Sequence, residues 1–342
     1  MKCFKNIKNK LLSKLALNHM NSIVNKRPID INIETTNFCP LKCIFCPNRK
    51  IKRSKQTMSM ELFEKICKDY YSLGGGVIGI SSMQSDIFSD ELLIKRLELL
   101  NKYKDKFYIY TTTNIISASK FSDDEIKEFL KTFDYLVISL GGVEKEEYKI
   151  MYGVDAFDVV KDQLYRFSRI INENNLNIEI ELAIRTYQAA KIINSQEYKE
   201  FNSIFPIYDV KDRFFSWYGL INQDELPQGA KIQKFNNITK KKDCVVPFTS
   251  LSINANGQVI GCGCIDWEAR HVIGDINKQT INEIWNDKPC NEFRMGFSLE
   301  NIPDMCKECA LYVSKDLCFS KPVLRKHKVT DGLYYRQKRK FK

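Results

Sequence analysis

The sequence predicts an α/β protein, a partial parallel (β/α)6 barrel followed by a small α+β domain. Strand-like and helix-like segments alternate from residue 29 to about residue 220. The segment YLVISL at 135–140 is apolar almost throughout, as expected for a parallel strand that is buried on both faces. A polar, turn-rich stretch at 221–243 then leads to Asn256-Gly257, a strong hairpin signal. These observations separate a barrel at 29–220 from a second domain at 244–320.

The elements follow from the spacing of apolar residues in chain order. Lysines between apolar positions at helical spacing predict a basic helix within residues 1–28. Strands are predicted at 29–35, 77–82, 106–113, 135–140, 177–186 and 212–219. Helices are predicted at 58–73, 90–103, 122–133, 159–174, 195–205 and 280–287. Six βα units fit a partial barrel or a doubly wound sheet, and both carry their sites at the carboxyl ends of the strands.

Charge is concentrated at the two ends of the 342-residue chain, whose formal net charge is +11. Residues 1–28 contain seven Lys or Arg and no acid, and the tail at 321–342 contains nine and one Asp. The body is therefore not a basic nucleic-acid binder. We interpret the ends as a solvated helix and tail, with an anionic membrane surface, a partner or nucleic acid as alternatives. Lys14 interrupts the apolar start and no membrane-spanning run follows, so we expect a retained N-terminus and a cytoplasmic protein.

The twelve cysteines fall into two groups with none between residues 68 and 243, which indicates metal sites and not a disulfide network. Cys39, Cys43 and Cys46 have the spacing C-x3-C-x2-C in the loop after the first predicted strand. Thiolates suit zinc or iron–sulfur clusters. Closed zinc sites and [4Fe–4S] clusters usually take four ligands, so three thiols leave one metal position open for chemistry. A zinc knuckle or three buried thiols are the structural alternatives.

This spacing, with Phe45 before the last cysteine, resembles the radical S-adenosylmethionine (SAM) superfamily. The resemblance implies that Cys39, Cys43 and Cys46 hold three irons of a [4Fe–4S] cluster and that the fourth iron binds SAM. An electron from the cluster would then split the sulfonium, and a 5′-deoxyadenosyl radical would remove a substrate hydrogen. Phe45 would pack beside the adenine.

Further family landmarks for SAM binding are present in altered form. The family's G-G-E-P after the second strand reads SMQSDIF here, so Gln84, Ser85 and Asp86 stand in its place. The family's T-N-G after the third strand reads TTTNII and includes Asn114. By resemblance, Gln84, Ser85 and Asn114 contact SAM.

The fourth strand keeps one residue of the family's S-x-D-G and changes another. Ser139 remains and would touch the ribose, whereas Gly141 replaces the Asp. Tyr152 stands where some members carry an Arg for the SAM carboxylate. Arg185, at the end of the fifth predicted strand, would supply that charge.

The second cysteine group has the pattern C-x12-G-x4-C at Cys244 and Cys262, followed by C-x2-C at Cys306 and Cys309. Four thiolates suit zinc and [4Fe–4S] equally. The arrangement is similar to the SPASM and Twitch auxiliary-cluster domains of radical SAM enzymes, which implies one auxiliary cluster on these four residues. The spare candidates are Cys264 and Cys318, and the thiols interpreted as isolated are Cys3, Cys67 and Cys290.

A cluster with four thiolates has no open iron, but it can accept or deliver one electron near the active site. Loss of a hydrogen atom, an electron and a proton converts an alcohol to a ketone, so such a cluster is a natural electron acceptor. Resemblance to relatives with one auxiliary cluster implies oxidation or epimerisation of a carbohydrate, aminocyclitol or sugar nucleotide. The alternatives are modification of a ribosomal peptide or protein, and a non-catalytic iron–sulfur or zinc protein that binds nucleic acid.

The expected partners are the substrate and an electron donor such as flavodoxin or ferredoxin. The sequence assigns no catalytic acid or base, since none of the three histidines, His19, His271 and His327, follows a predicted strand.

Overall fold

The computed structural model describes residues 24–81, 85–233, 243–298, 302–307 and 309–312. The barrel strands are β1 (Asp30–Ile33), β2 (Gly76–Ile80), β3 (Phe107–Thr113), β4 (Tyr135–Leu140), β5 (Glu179–Arg185) and β6 (Ile207–Lys211). The helices among them are α1 (Met60–Ser72), α2 (Leu93–Lys102), α3 (Asp123–Thr132), α4 (Lys145–Tyr152), α5 (Phe157–Asn174), α6 (Ala189–Ile192) and α7 (Gln196–Ile204). The predicted basic helix and tail lie outside the described residues, apart from 24–28.

The C-terminal part consists of short strands and helices. Its strands are β7 (Arg213–Phe214), β8 (Lys231–Ile232), β9 (Ser250–Ile253), β10 (Gln258–Ile260) and β11 (Val272–Asp275). Its helices are α8 (Val246–Thr249), α9 (Ile281–Asn286), α10 (Lys288–Ser298) and α11 (Asp304–Lys307). No helix in the described ranges is long and apolar enough to cross a membrane.

One nine-stranded sheet joins the two parts, in the order β11-β10-β9-β1-β2-β3-β4-β5-β6. Strands β1 to β6 are parallel, and β9 also pairs in parallel with β1, with Asp30 opposite Ser250. The predicted hairpin at Asn256-Gly257 is confirmed, because β10 pairs antiparallel to β9. The C-terminal hairpin thus extends the barrel sheet beyond β1.

The two faces of this sheet differ in chemistry. The side chains that face the helices are apolar and fully buried, as Ile31, Ile78 and Leu136 illustrate. The alternate positions carry polar, partly exposed residues such as Tyr110 and Tyr135. Because successive strand residues point to opposite faces, the apolar core lies between sheet and helices and the barrel interior is polar.

Two elements differ from the sequence prediction. The sixth strand is β6 at Ile207–Lys211 and not 212–219, so that prediction is wrong; β7 instead pairs with β8 in a separate small sheet. Trp217, Tyr218 and Gly219 have φ of 51°, 58° and 79°, a left-handed backbone that a strand excludes. Helix α4 was not predicted. The capping box at the start of α3 is confirmed, since Ser122 and Glu125 exchange both hydrogen bonds.

Asp30 provides a pH test of the packing between β1 and β9. Its carboxyl is 4% exposed, and burial raises its pKa to about 7 against a hydrogen bond from Ser250 that lowers it. Between its unfolded pKa and about pH 7 the native state therefore holds one more proton than the unfolded state, so this group makes stability fall as pH rises. Asp30→Asn removes that dependence. In urea unfolding, we expect its stability relative to wild type to improve from pH 5 to pH 8, whereas the exposed control Asp124→Asn should show no such trend. A difference from wild type that does not change with pH would contradict the assignment.

Candidate active site

The first cysteine loop is fixed by two asparagines, as its sequence indicated. The Asn37 side chain donates to the Ser54 carbonyl (2.9 Å) and accepts from the Gln56 amide (2.8 Å). Lys55 Nζ donates to the Asn37 carbonyl (2.8 Å) and to Asn48 Oδ1 (2.7 Å). These bonds tie the two ends of the loop to each other.

Helix α4 holds the same loop from the other side, which the sequence analysis missed. The amides of Lys42 and Ile44 donate to the carbonyls of Tyr152 (3.0 Å) and Met151 (3.1 Å). These are carbonyls of the last turn of the helix, which have no partner within a helix. The loop therefore completes the helix end, and the helix positions the loop.

The three thiols of the loop share a desolvated environment. Burial is the main cause that raises the pKa of Cys39 to about 12 and of Cys46 to about 11, and it raises that of Cys43 well above its ordinary value. The charges of Cys39 and Cys46 raise the Cys43 pKa further. Thiolates so placed need a bound cation to stay charged, which fits a metal cluster. In the described part of the chain no three His, Cys, Asp or Glu side chains have the arrangement for a metal ion, so the fit rests on donor chemistry and surroundings.

The residues that follow β2 and β3 meet at this loop. Gln84 lies outside the described residues. The Ser85 hydroxyl is buried and has no hydrogen-bond partner among the described residues, as expected of a group kept for a ligand. The Asn114 amide lies 3.7 Å from Cys39 Sγ. Both positions fit the SAM contacts that the resemblance implies.

Asp86, which replaces the family's acid, is used inside the protein. Its carboxylate accepts from the Thr113 hydroxyl (2.7 Å), the Asn114 amide (2.8 Å) and the Phe88 amide (3.1 Å). It is fully buried, and burial raises its pKa. Its role in the fold is to join the end of β2 to the end of β3.

Gly141 and Tyr152, two departures from the family pattern, form one packed unit. A Cβ on Gly141 would lie 2.6 Å from Tyr152 Cδ1, so the ring occupies the space of the missing side chain. The Tyr152 hydroxyl lies 2.7 Å from Ser139 Oγ. Arg185 is at the end of β5, where its guanidinium pairs with Asp209 (3.1 Å). Phe45 stacks on Phe214 with ring centroids 4.7 Å apart.

This complementarity predicts a coupled effect on stability. Gly141→Ala should lower the free energy of unfolding by about 1–3 kcal/mol through overpacking against Tyr152. The penalty should shrink in a Tyr152→Leu background, as a double-mutant cycle measured by chemical denaturation would reveal. The control is Gly219→Ala, where no atom lies within 4 Å of an added Cβ and φ is +79°, so its cost is conformational and should be equal in both backgrounds. Equal costs for Gly141→Ala in the two backgrounds would contradict the packing argument.

The second cysteine group forms its own buried cluster. Its members share an apolar environment with Phe297, Met305 and Tyr312, and they are Cys244, Cys262, Cys306 and Cys309. Cys264 packs against them, and its hydrogen bond with the Cys262 thiol lowers the pKa of Cys262. Cys318 and Cys3 lie outside the described residues. Cys67 and Cys290 are buried in the main core, apart from both groups. The fold therefore assembles the four predicted thiols and one of the two spare candidates.

A buried ion pair joins the first loop to the C-terminal part, and sequence spacing did not reveal it. Arg53 pairs with Glu34, at the end of β1, through two nitrogens at 3.1 and 2.7 Å. Arg53 Nε also donates to the Trp267 carbonyl (2.6 Å), and Glu34 Oε1 accepts from the Ala255 amide (3.2 Å). The pair thus fixes the two cysteine regions relative to each other.

Two family models match the chain. The Radical SAM superfamily model covers residues 33–178, and the SPASM iron–sulfur cluster-binding domain covers 244–310, together more than half of the sequence. No curated protein sequence matches the chain.

Several solved structures share the fold. BtrN in complex with AdoMet and 2-DOIA is 16% identical, with 82% of this chain and 92% of that chain covered and a TM-score of 0.55. Streptococcus suis SuiB bound to precursor peptide SuiA is 15% identical, with 93% and 78% covered and a TM-score of 0.59. The anSMEcpe enzyme with bound AdoMet is 17% identical, with 83% of each chain covered and a TM-score of 0.53. These likenesses confirm the predicted α/β fold class.

Proposed function

The chain belongs to the radical S-adenosylmethionine superfamily and carries a SPASM domain, and from this premise we propose that it oxidises or epimerises a carbohydrate- or aminocyclitol-type small molecule. As a radical SAM enzyme it uses SAM and iron–sulfur clusters. The substrate class is supported by one observation, the polar interior of the barrel.

The proposal assigns the cofactors to residues of both cysteine groups. Cys39, Cys43 and Cys46 hold the first [4Fe–4S] cluster, which with SAM supplies the one-electron chemistry that removes a substrate hydrogen atom. The proposed SAM contacts are Phe45, Gln84, Ser85, Asn114, Ser139 and Arg185. One auxiliary [4Fe–4S] cluster is held by Cys244, Cys262, Cys306 and Cys309. An external electron donor such as flavodoxin or ferredoxin, and a reducing location such as the cytoplasm, complete the proposal.

Hydroxyl, amide and carboxylate groups line the interior of the barrel. The Tyr110 hydroxyl donates to Asn32 Oδ1 (2.9 Å), and the Tyr135 hydroxyl donates to the Glu181 carboxylate. All four side chains are partly exposed on the interior face of the sheet. A ring that carries hydroxyl or amino groups can satisfy such groups, whereas an apolar group placed there would leave them without partners. This wall therefore favours a small polar substrate.

The test is anaerobic turnover of the reconstituted enzyme with SAM and a strong one-electron reductant. Aminocyclitols and sugars are compared with peptides, and 5′-deoxyadenosine is measured together with substrate loss. A polyhydroxylated substrate should drive 5′-deoxyadenosine formation and lose two hydrogens, or exchange one carbon-bound hydrogen if it is epimerised. Peptide-dependent 5′-deoxyadenosine without any response to sugars or aminocyclitols would reject the proposed class.

Matched variants locate the substrate contact. Tyr135→Phe and Glu181→Gln should each lower kcat/KM by about tenfold, the effect of one lost hydrogen bond. The control is Tyr71→Phe, whose hydroxyl bonds Asp105 at the surface and should leave turnover unchanged. Equal effects at positions 71 and 135 would point to general destabilisation.

Modification of a ribosomal peptide or protein is the second candidate. It is supported by solved structures of the same fold that hold peptides, SuiB with SuiA and anSMEcpe with the Cp18Cys peptide. The turnover comparison above decides between the two classes.

A further inference from the structure

Two tryptophans connect the cysteine regions. Trp217 Nε1 donates to the Phe45 carbonyl (2.9 Å), which belongs to the peptide bond that joins Phe45 to Cys46. Trp267 Nε1 donates to the carbonyl of Cys264 (3.2 Å). The centroids of the two rings are 5.0 Å apart and the rings are inclined by 55°. A continuous path of two hydrogen bonds and one ring contact therefore runs from one cysteine region to the other.

Both rings are held firmly in this arrangement. Trp267 is 2% exposed, and its carbonyl accepts from Arg53, which pairs with Glu34. Trp217 packs against the main core and also against the apolar cluster that contains the second cysteines. Its left-handed backbone, with φ of 51°, costs about 1–2 kcal/mol in a residue other than glycine, so the surrounding contacts must offset it.

Ordinary core packing explains part of this geometry. A buried aromatic ring stabilises any core, and a buried indole N–H needs an acceptor. Packing alone does not require that the two N–H groups end on carbonyls of the two cysteine regions, nor that the rings between them touch. That combination is the arrangement expected of a connection between two redox centres.

We propose that the Trp217–Trp267 pair carries one-electron transfer between the auxiliary centre and the first-loop centre. The proposal rests on the proposed function, which provides a cluster at each end. One electron leaves the reduced auxiliary centre and enters the oxidised first-loop centre, while the indoles are neither oxidised nor reduced and no proton moves. In an oxidation, the electron given up by the substrate is thereby returned to the centre that must be reduced again for the next turnover.

The physical reason is electronic coupling. An electron tunnels more readily through covalent and hydrogen bonds than across a gap, and the extended indole rings span most of the distance. Replacing either indole shortens the ring and removes one N–H donor, so both losses weaken the same path.

The test uses reconstituted full-length protein without SAM or substrate. A photoreductant delivers one electron per protein, and freeze-quenched electron paramagnetic resonance (EPR) follows the redistribution of that electron between the two clusters. Trp217→Phe and Trp267→Phe should each slow redistribution by roughly tenfold, within the range for breaking one link of a packed network. Midpoint potentials and iron content should equal those of wild type, and the double variant should be little slower than the slower single variant.

Trp285→Phe is the matched control. Trp285 is also fully buried and donates Nε1–H to the Val24 carbonyl (3.0 Å), away from both cysteine regions, so its replacement should leave the rate unchanged. If a phenylalanine variant fails to bind iron, the tyrosine variant at the same position is measured instead. Wild-type rates in both bridge variants, or slowing that is matched by a shifted potential or lost iron, would overturn the bridge. Absence of a second EPR signal in wild type would instead overturn the cluster assignment of the proposed function.

Discussion

Replacing Cys39, Cys43 and Cys46 together by alanine is expected to lower the iron content from about eight to about four per chain, since each cubane holds four irons. Formation of 5′-deoxyadenosine should be abolished, because no centre with an open iron remains to bind SAM. Iron and sulfide analysis of anaerobically reconstituted protein measures the first effect, and chromatography of the SAM cleavage products measures the second.

The control for this triple variant is Cys67→Ala. Cys67 is fully buried in the main core, away from both cysteine groups, so its loss should affect stability and leave iron content at the wild-type value. A triple variant that retains all its iron would show that these thiols are not the ligands.

Glu34→Ala is expected to lower the free energy of unfolding by about 3–5 kcal/mol, because it leaves the Arg53 charge buried without its partner. The side chains of Arg53 and Glu34 are only 11% and 7% exposed, so water cannot replace the lost contact. The Trp267 carbonyl that Arg53 binds would also be released, and we expect both cysteine regions to become more open to exchange. Denaturant unfolding and amide hydrogen exchange measure these two effects.

An exposed ion pair provides the comparison. Glu64 and Lys68 form an i,i+4 pair with side chains 44% and 62% exposed, and Glu64→Ala should cost only about 0.3–0.5 kcal/mol. If Glu34→Ala and Glu64→Ala cost the same, the ion pair at Arg53 would not be the link that the geometry indicates.

Much of the barrel could be read from local patterns. Strand β4 was predicted at its observed bounds because six apolar and β-branched residues in a row favour only a buried strand. The sixth strand was misplaced because the aromatic run at 213–218 has strand-like composition, while the positive φ at Trp217 and Tyr218 leaves no mark in composition. Helix α4 was missed because its eight residues lie between Gly142 and Gly153, which look like the ends of a loop.

The candidate site was predictable only where residues near in sequence carry it. The cysteine spacings identified both thiol groups, since one loop or one hairpin brings each set together. The contact of Trp217 with Phe45 and that of Arg53 with Trp267 join residues far apart in the chain, so no spacing could reveal them. The fit of Tyr152 over Gly141 depends on how α4 returns to β4, which is a property of the tertiary structure.

The parallel pairing of β9 with β1 has a consequence for biosynthesis. As the ribosome releases the chain from its N-terminus, β1 through β6 emerge before Ser250–Ile253, and β1 until then presents a bare row of amide and carbonyl groups. Such an unprotected border invites pairing with another nascent chain. The strand that covers it lies between Cys244 and Cys262, so maturation of the second thiol group and protection against aggregation are completed by the same stretch of polypeptide.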